Sequence, residues 1–263
     1  SKHRLLVVIP GHGKASRTET LLRSLRRLQQ EPWTSEDSFT CMIFMYNTAP
    51  DFLISSNMKA LRDEVGCRTV QRKGVFLEFL VDPIITHTIK EIQAKFVLLL
   101  LDDIGLRTSH PMRARGLIDV MTRNHLDVVS AALIGTHLSY DGMRPTQPRR
   151  STAIGRIVTF VEWQAPLFTV DAFGVLCRMI RPSISRTWGY DEMYPGGFRA
   201  EFGRLPKMGI VDTMHVVHTG PWLASSTLHE SMVFAEYEAI VDFYAQNFNI
   251  TPVPIRMRRG YLF

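Results

Sequence analysis

The sequence predicts an α/β fold, a Rossmann-type and mostly parallel sheet with helices on both faces. Three observations point there. Short β-branched or leucine-rich runs alternate with helical patterns over the first half of the 263-residue chain, as in βαβ units. Phe96-Val-Leu-Leu-Leu-Leu101 is apolar without alternation, so as a strand it is buried on both faces. That run then meets Asp102, Asp103 and a turn at Gly105, just beyond a strand's carboxyl end, where open α/β sheets bind ligands. Two acids there can hold a divalent cation that bridges to phosphate oxygens. The plainer reading is a solvated strand end that starts a turn.

A chain of this length with 45% hydrophobic and 21% charged residues is an ordinary globular sequence. We read one domain over 1–263, made of an N-terminal half (1–135) and a C-terminal half (136–263). No apolar run approaches the ~20 residues of a transmembrane segment. Leu5-Leu-Val-Val-Ile9, followed at once by Pro10, reads as a first strand rather than a signal peptide. The chain opens on Ser1, not Met, which leaves room for a removed leader. Cys41, Cys67 and Cys177 are odd in number and sit in apolar surroundings. They read as small buried thiols rather than a disulfide framework or zinc site, and favour a reducing, cytoplasmic setting. A net charge of +6 without a dense basic block before the tail argues against nucleic acid as a partner. It suits an anionic substrate such as a nucleotide diphosphate.

The elements follow in order. Arg4–Ile9 is the first strand, and Pro10-Gly-His-Gly-Lys14 is the loop after it. Ser16 and Glu19 are spaced as a capping box, opening a helix with Leu21, Leu22, Leu25 and Leu28 on one face. Strand, glycine loop and helix make the opening of a nucleotide-binding unit, without a full dinucleotide fingerprint or P-loop. Cys41–Tyr46 is the second strand, 52–65 a helix, and Cys67–Val70 a short third strand. Asp82-Pro83 splits 76–93 into two short helices. Pro111 begins a helix reaching Asn124, and Leu126–Leu133 is another strand. Between His137 and Arg156 the apolar pattern gives way to Gly, Pro and Arg144, Arg149, Arg150 and Arg156, a loop of the kind that carries function. Beyond it come Ile157–Trp163, Ala165–Phe168, a helix over 171–180, and the strand Ile210–His218. A second capping box, Thr227 to Glu230, opens the last helix. Pro252–Phe263 is a basic, aromatic tail.

Three later blocks add a resemblance. Val161-Glu-Trp-Gln-Ala-Pro-Leu-Phe168, Trp188-Gly-Tyr-Asp191 and Gly209-Ile-Val-Asp-Thr-Met-His-Val-Val-His-Thr-Gly220 resemble the signature blocks of the domain-of-unknown-function 707 family. That family is thought to be glycosyltransferase-like, and the whole arrangement resembles GT-A glycosyltransferases. The resemblance implies a GT-A-like single domain with a smaller acceptor-side sheet. It makes 1–135 the nucleotide-sugar-binding half and 136–263 the acceptor and catalytic half. The family's acid-acid-acid run is here Leu101-Asp102-Asp103, one acid short.

On this resemblance the partners are a nucleotide-sugar donor, UDP-linked, and a carbohydrate or glycoprotein acceptor. The cofactor is Mn2+ or Mg2+, held by Asp103 and His218, and an imidazole favours Mn2+. Asp102 supports the donor. Pro10, Gly11, His12 and Lys14 after the first strand, and Arg72 and Lys73 after the third, face its diphosphate and base. Asp191 is the general base that deprotonates the acceptor hydroxyl and inverts the anomeric centre. Its bland alternative is a helix N-cap. Glu162, Trp163, Trp188 and Gly189 contact sugar or acceptor, which the 144–156 loop and the 194–204 segment recognise. A retaining transferase, in which Asp191 binds the acceptor, and a non-catalytic nucleotide- or sugar-binding module are the competing readings.

Overall fold

The computed structural model describes residues 4–35, 37–106, 109–134, 147–149, 153–185, 189–219, 227–254 and 257–262, with 227–233 and 257–262 by backbone alone. The N-terminal half runs β1 (Arg4–His12), α1 (Ala15–Gln29), β2 (Ser38–Met45), α2 (Pro50–Ile54), α3 (Ser56–Asp63) and β3 (Arg68–Gln71). It continues with α4 (Phe76–Leu80), α5 (Pro83–Glu91), β4 (Phe96–Leu99), β5 (Ile104–Leu106), α6 (Ala114–Asn124) and β6 (Val128–Ile134). The C-terminal half adds β7 (Gly155–Val158), β8 (Pro166–Thr169), α7 (Val170–Met179), α8 (Tyr190–Phe202), β9 (Met208–His218), α9 (Thr227–Phe248) and β10 (Met257–Leu262).

All the described strands join one sheet in the order β10-β7-β9-β6-β8-β4-β1-β2-β3, with β5 attached to β9. The β4-β1-β2-β3 edge is parallel throughout, as βα alternation requires. Antiparallel β8 lies between β4 and β6, and β6 then pairs in parallel with β9. Three residues of β9, Asp212 to Met214, bulge out of that register. Past the bulge, β9 pairs antiparallel with β5, Ile104 opposite His218. There β9 is flanked on both sides, since His215–Val217 also pair with β6.

Alternation along the strands splits the core in two. Leu5, Val7 and Ile9 of β1, with Leu98 of β4, meet α1, α3 and α6 on one face. Leu6, Val8, Val97 and Leu99 meet α4, α5, α7, α8 and α9 on the other. Strands this apolar are stable only when covered twice. Gly155 lets β7 close on β9, because a Cβ there would lie 2.2 Å from the Ile210 carbonyl oxygen.

Several local expectations are corrected. The helix after the first loop begins at Ala15, with Lys14 at its N-cap and no side-chain cap. Ser16 and Glu19 therefore form no capping box, and Glu19 instead pairs with Arg23 at 3.0 Å. Reach-back does occur at α4, where Glu78 Oε2 accepts from Val75 N at 2.8 Å. Pro111 does not start α6 but bridges to His215. The α6 amides of Ala114 and Arg115 donate to the Glu31 carboxylate at 2.7 and 2.8 Å. The tail docks as β10 on β7. The side chains of the Thr227–Glu230 box lie outside the described residues.

The cysteine reading is overturned. Cys41 and Cys67 are joined by a disulfide, tying β2 to the entry of β3, and Cys177 alone is a free thiol. Apolar surroundings bury a disulfide as readily as two thiols, so they did not discriminate. The inference of a reducing, cytoplasmic setting loses its premise. No described helix is long and apolar enough to cross a membrane.

Candidate active site at the carboxyl ends of β1, β4 and β9

The apolar β4 run delivers Asp102 and Asp103 into a turn between β4 and β5, with Ile104 N donating to Leu101 O at 3.2 Å. Both acids are buried, 4% and 6% exposed, so each needs compensating partners. Asp102 Oδ2 takes His12 Nδ1 at 2.9 Å and Oδ1 takes Arg17 Nη1 at 2.7 Å. Asp103 Oδ2 meets Arg17 Nη2 at 3.1 Å and His218 Nε2 at 3.3 Å. The Asp103 carbonyl is fixed by Thr219, whose N and Oγ1 donate at 2.8 and 2.7 Å. Opposed pairing of Ile104 and His218 is what sets these two groups side by side. Asp103 has its proton affinity pushed up by burial, yet the net shift is downward, because the His218 hydrogen bond, its charge and then Arg17 outweigh burial.

His12, expected at the donor, is fully buried with both ring nitrogens engaged, Nδ1 by Asp102 and Nε2 by Thr18 Oγ1 at 3.0 Å. A carboxylate only accepts, so Nδ1 carries the hydrogen. His12 therefore holds Asp102 from beneath and has no ring nitrogen left for a ligand. Pro10 is buried, while Lys14 is exposed on the loop. Gly13 is required by close approach: a Cβ there would meet the Tyr46 ring at 2.2 Å. Gly11 has φ +119°, a backbone that favours glycine. Tyr46, which the sequence reading left out of the site, lies against this loop, 42% exposed. Burial first and the Asp102 charge next raise its hydroxyl pKa.

Arg72 and Lys73 lie in the loop after β3, both exposed. Arg72 is turned away to Asp82, Nε to Oδ2 at 2.7 Å. Its partner is thus the N-cap of α5, whose Oδ1 accepts from Ile84 N at 3.0 Å.

The blocks around 160 and 190 meet. The Trp163 ring stacks on Tyr190, centroids 6.3 Å apart, and meets Tyr194 edge-on at 6.4 Å. At 9% exposed, Trp163 is a core side chain. Gln164 O accepts from Leu101 N at 3.0 Å, joining this block to the acid turn. Gln164 Oε1 is buried without a hydrogen-bond partner among the described residues. Leu101 packs against the apolar cluster. The missing first acid is thus a packing residue. Glu162 is half-buried and engaged within the protein. Trp188 lies outside the described residues.

Asp191 sits in the first turn of α8, whose N-cap is Gly189 at φ +90°. Asp191 is therefore not the N-cap. Its Oδ1 accepts from Glu192 N at 3.0 Å, and Pro195 has no N–H to offer the Asp191 carbonyl one turn back. Burial first, and the adjacent Glu192 charge second, raise its pKa well above the ordinary carboxylate range. Glu192 Oε2 accepts from Tyr237 OH at 2.9 Å. In the 194–204 segment Tyr194 and Phe198 are buried, and Arg204 grips Asp127 through two bonds of 2.7 and 2.8 Å. Arg156 leaves its loop too, 5% exposed and paired with Asp212. Arg144 and Arg150 lie outside the described residues.

Solved structures of other proteins share this architecture. A structure of GalNAc-T7 with UDP, GalNAc and Mn2+ aligns with 94% of this chain and 49% of its own, with a TM-score of 0.60 at 9% identity. S. aureus TarS 1-349 aligns with 93% of this chain and 73% of its own, with a TM-score of 0.52 at 12% identity. The fold is that of the GT-A glycosyltransferases. The chain spans about half the length of GalNAc-T7. No family model and no curated protein matches the sequence, so the narrower likeness to the 707 family stands on the three blocks alone. Likeness at such identity speaks to fold and not to substrate.

Among the described residues no cluster of three or more His, Cys, Asp or Glu is arranged for a metal. Asp103 and His218 nonetheless fit a divalent cation that completes its shell with phosphate oxygens and water. Among the described residues Asp103 Oδ1 is buried without a hydrogen-bond partner, and the imidazole next to the carboxylate suits Mn2+.

Proposed function

We propose that the chain is a glycosyltransferase, moving a hexose or a pentose such as xylose from a UDP-linked donor to a hydroxyl of a carbohydrate or glycoprotein acceptor. The observation that carries this is the buried acid pair at the carboxyl end of β4, with Asp103 against His218, in a GT-A fold. A cation held by Asp103 and His218, Mn2+ or Mg2+, would neutralise charge developing on the leaving diphosphate. Asp102, clamped by His12, supports the donor side, and Pro10, Gly11, Lys14 and Lys73 face the diphosphate and base, where Arg72 joins them only by leaving Asp82. Glu162, Trp188 and Gly189 belong to the sugar and acceptor side, and Trp163 shapes that side from within the core.

Asp191 accepts the acceptor hydroxyl proton while the oxygen bonds to the anomeric carbon. The bond from that carbon to the diphosphate breaks, its electron pair leaving on phosphate, and the configuration inverts. A carboxylate with a raised proton affinity is a better base near neutrality than an ordinary one. The test is turnover with a panel of nucleotide sugars and Mn2+, with the product's anomeric configuration read by NMR. An inverted product is expected. A retained configuration removes Asp191 as the base, and donor binding without any turnover leaves only a binding module.

A further inference from the structure

Arg17 is the group in the acid turn with no place in the reaction just described. It is the third residue of α1, and one guanidinium spans both acids, Nη1 on Asp102 and Nη2 on Asp103. Its side chain is 22% exposed while the two carboxylates are 5% and 8% exposed, so it closes the acid turn from the solvent side. The oxygen it takes on Asp103 is Oδ2, the same atom that faces His218. A divalent cation that bridges Asp103 and His218 through that oxygen would meet the Arg17 guanidinium there, while Asp103 Oδ1 has no hydrogen-bond partner among the described residues. Two positive groups in contact with one carboxylate oxygen repel strongly in a site this buried. The other partners are fixed: His12 is fully buried, and His218 is held in the β9 pairing. Arg17, on a long flexible stem near the helix start, is the partner that can leave.

We propose that Arg17 is an internal counter-ion occupying the cation seat in the donor-free protein, and that cation and donor diphosphate together displace it. The inference uses the cation site of the proposed function but does not depend on sugar transfer. Arg17 neutralises the buried acids when no ligand is present. A nucleotide diphosphate, rich in bidentate acceptors for a guanidinium, gives it a new partner as the cation takes its place. Cation and nucleotide then bind cooperatively, each tightening the other by the same factor.

The experiment is Mn2+ binding to the full chain, followed by electron paramagnetic resonance of free Mn2+, with and without UDP. The wild-type protein is expected to bind Mn2+ weakly alone and more tightly with UDP. Arg17→Gln is expected to bind Mn2+ alone tighter by about tenfold or more, a modest figure for removing one opposing charge from a partly buried site, and to lose most of the gain from UDP. Arg17→Lys, which keeps the charge but not the two-headed geometry, is expected between the two. Thermal melts confirm that each variant is folded. Unchanged or weaker Mn2+ binding in folded Arg17→Gln overturns the inference, as does unchanged binding in Arg17→Lys should the glutamine variant not fold, and so does absence of Mn2+ binding in every form. A transfer assay on the same preparations separates the two ideas. Tighter Mn2+ binding without transfer leaves the counter-ion and removes the enzyme, and transfer with unchanged Mn2+ binding does the reverse.

Discussion

Breaking the Cys41–Cys67 bond should lower stability by an amount that follows from its position. The two cysteines are 26 residues apart, and cross-linking a loop of that size removes unfolded-state entropy equivalent to about 3.5 kcal/mol at room temperature. For a protein of this size each kcal/mol shifts the melting point by about 2–4 °C, so reduction should lower it by about 10 °C. The bond ties β2 to the entry of β3, beside Val65 and Leu61 in the same apolar cluster, so reduction leaves two thiols buried in place rather than a cavity. The assay is a thermal melt with and without a membrane-permeant phosphine reductant, with Cys41→Ala/Cys67→Ala as the control that no longer responds. Thiol titration of the denatured, unreduced protein should find one thiol, Cys177, and three after reduction. Three thiols without reductant would mean that Cys41 and Cys67 are not joined, and a melting point indifferent to reduction would mean that the bond does not stabilise the fold.

Arg156→Met removes the charged partner of buried Asp212, whose Oδ1 also accepts from Arg149 N, and should cost about 3–5 kcal/mol, whereas Arg156→Met/Asp212→Leu should recover most of it, both measured by urea unfolding. Gly189→Ala is strained twice, by φ +90° and by a Cβ 2.4 Å from Ile240 Cγ2. It should destabilise by about 2–4 kcal/mol and slow transfer by tilting the start of α8. Transfer should rise with pH through the raised Asp191 pKa rather than through the ordinary carboxylate range. Glu192→Gln should move that limb to lower pH, because it removes the second cause of the shift. For stability the sign is opposite: a carboxyl whose pKa is raised on folding contributes most below its unfolded pKa. That contribution is lost as pH rises through the folded value. Asp191→Asn should therefore gain stability over wild type at pH 8 relative to pH 4, read from paired melts.

What was legible in the sequence was local. Phe96–Leu101 declares a doubly covered strand because it is apolar at every position, and its abrupt end in Asp102 and Asp103 marks the site. Parallel pairing along the β4-β1-β2-β3 edge follows from alternation of strand and helix, but alternation carries no strand order, so antiparallel β8 beside β4 is not visible in it. Most of the losses are long-range. His12 reads as a loop residue until Asp102, 90 positions on, is seen to take its ring. Arg17 looks like one more exposed helix charge until its partners arrive 85 and 86 residues later. Glu31 shows no sign of capping a helix 83 residues away. Ser16 and Glu19 mimic a capping box because the motif is short, while the helix was already under way at Ala15. Asp191 was found through a block resemblance, and its raised proton affinity comes from burial that no spacing reveals.

If the Asp103–His218 turn and Asp191 serve one reaction, losing either should stop it. The most direct measurement is the initial rate of sugar transfer from a UDP-linked donor, in Mn2+, for wild type, Asp103→Ala and Asp191→Asn. Each substitution should lower the rate by about a hundredfold or more, with melting points showing both variants folded. Either variant transferring at the wild-type rate would contradict that shared role.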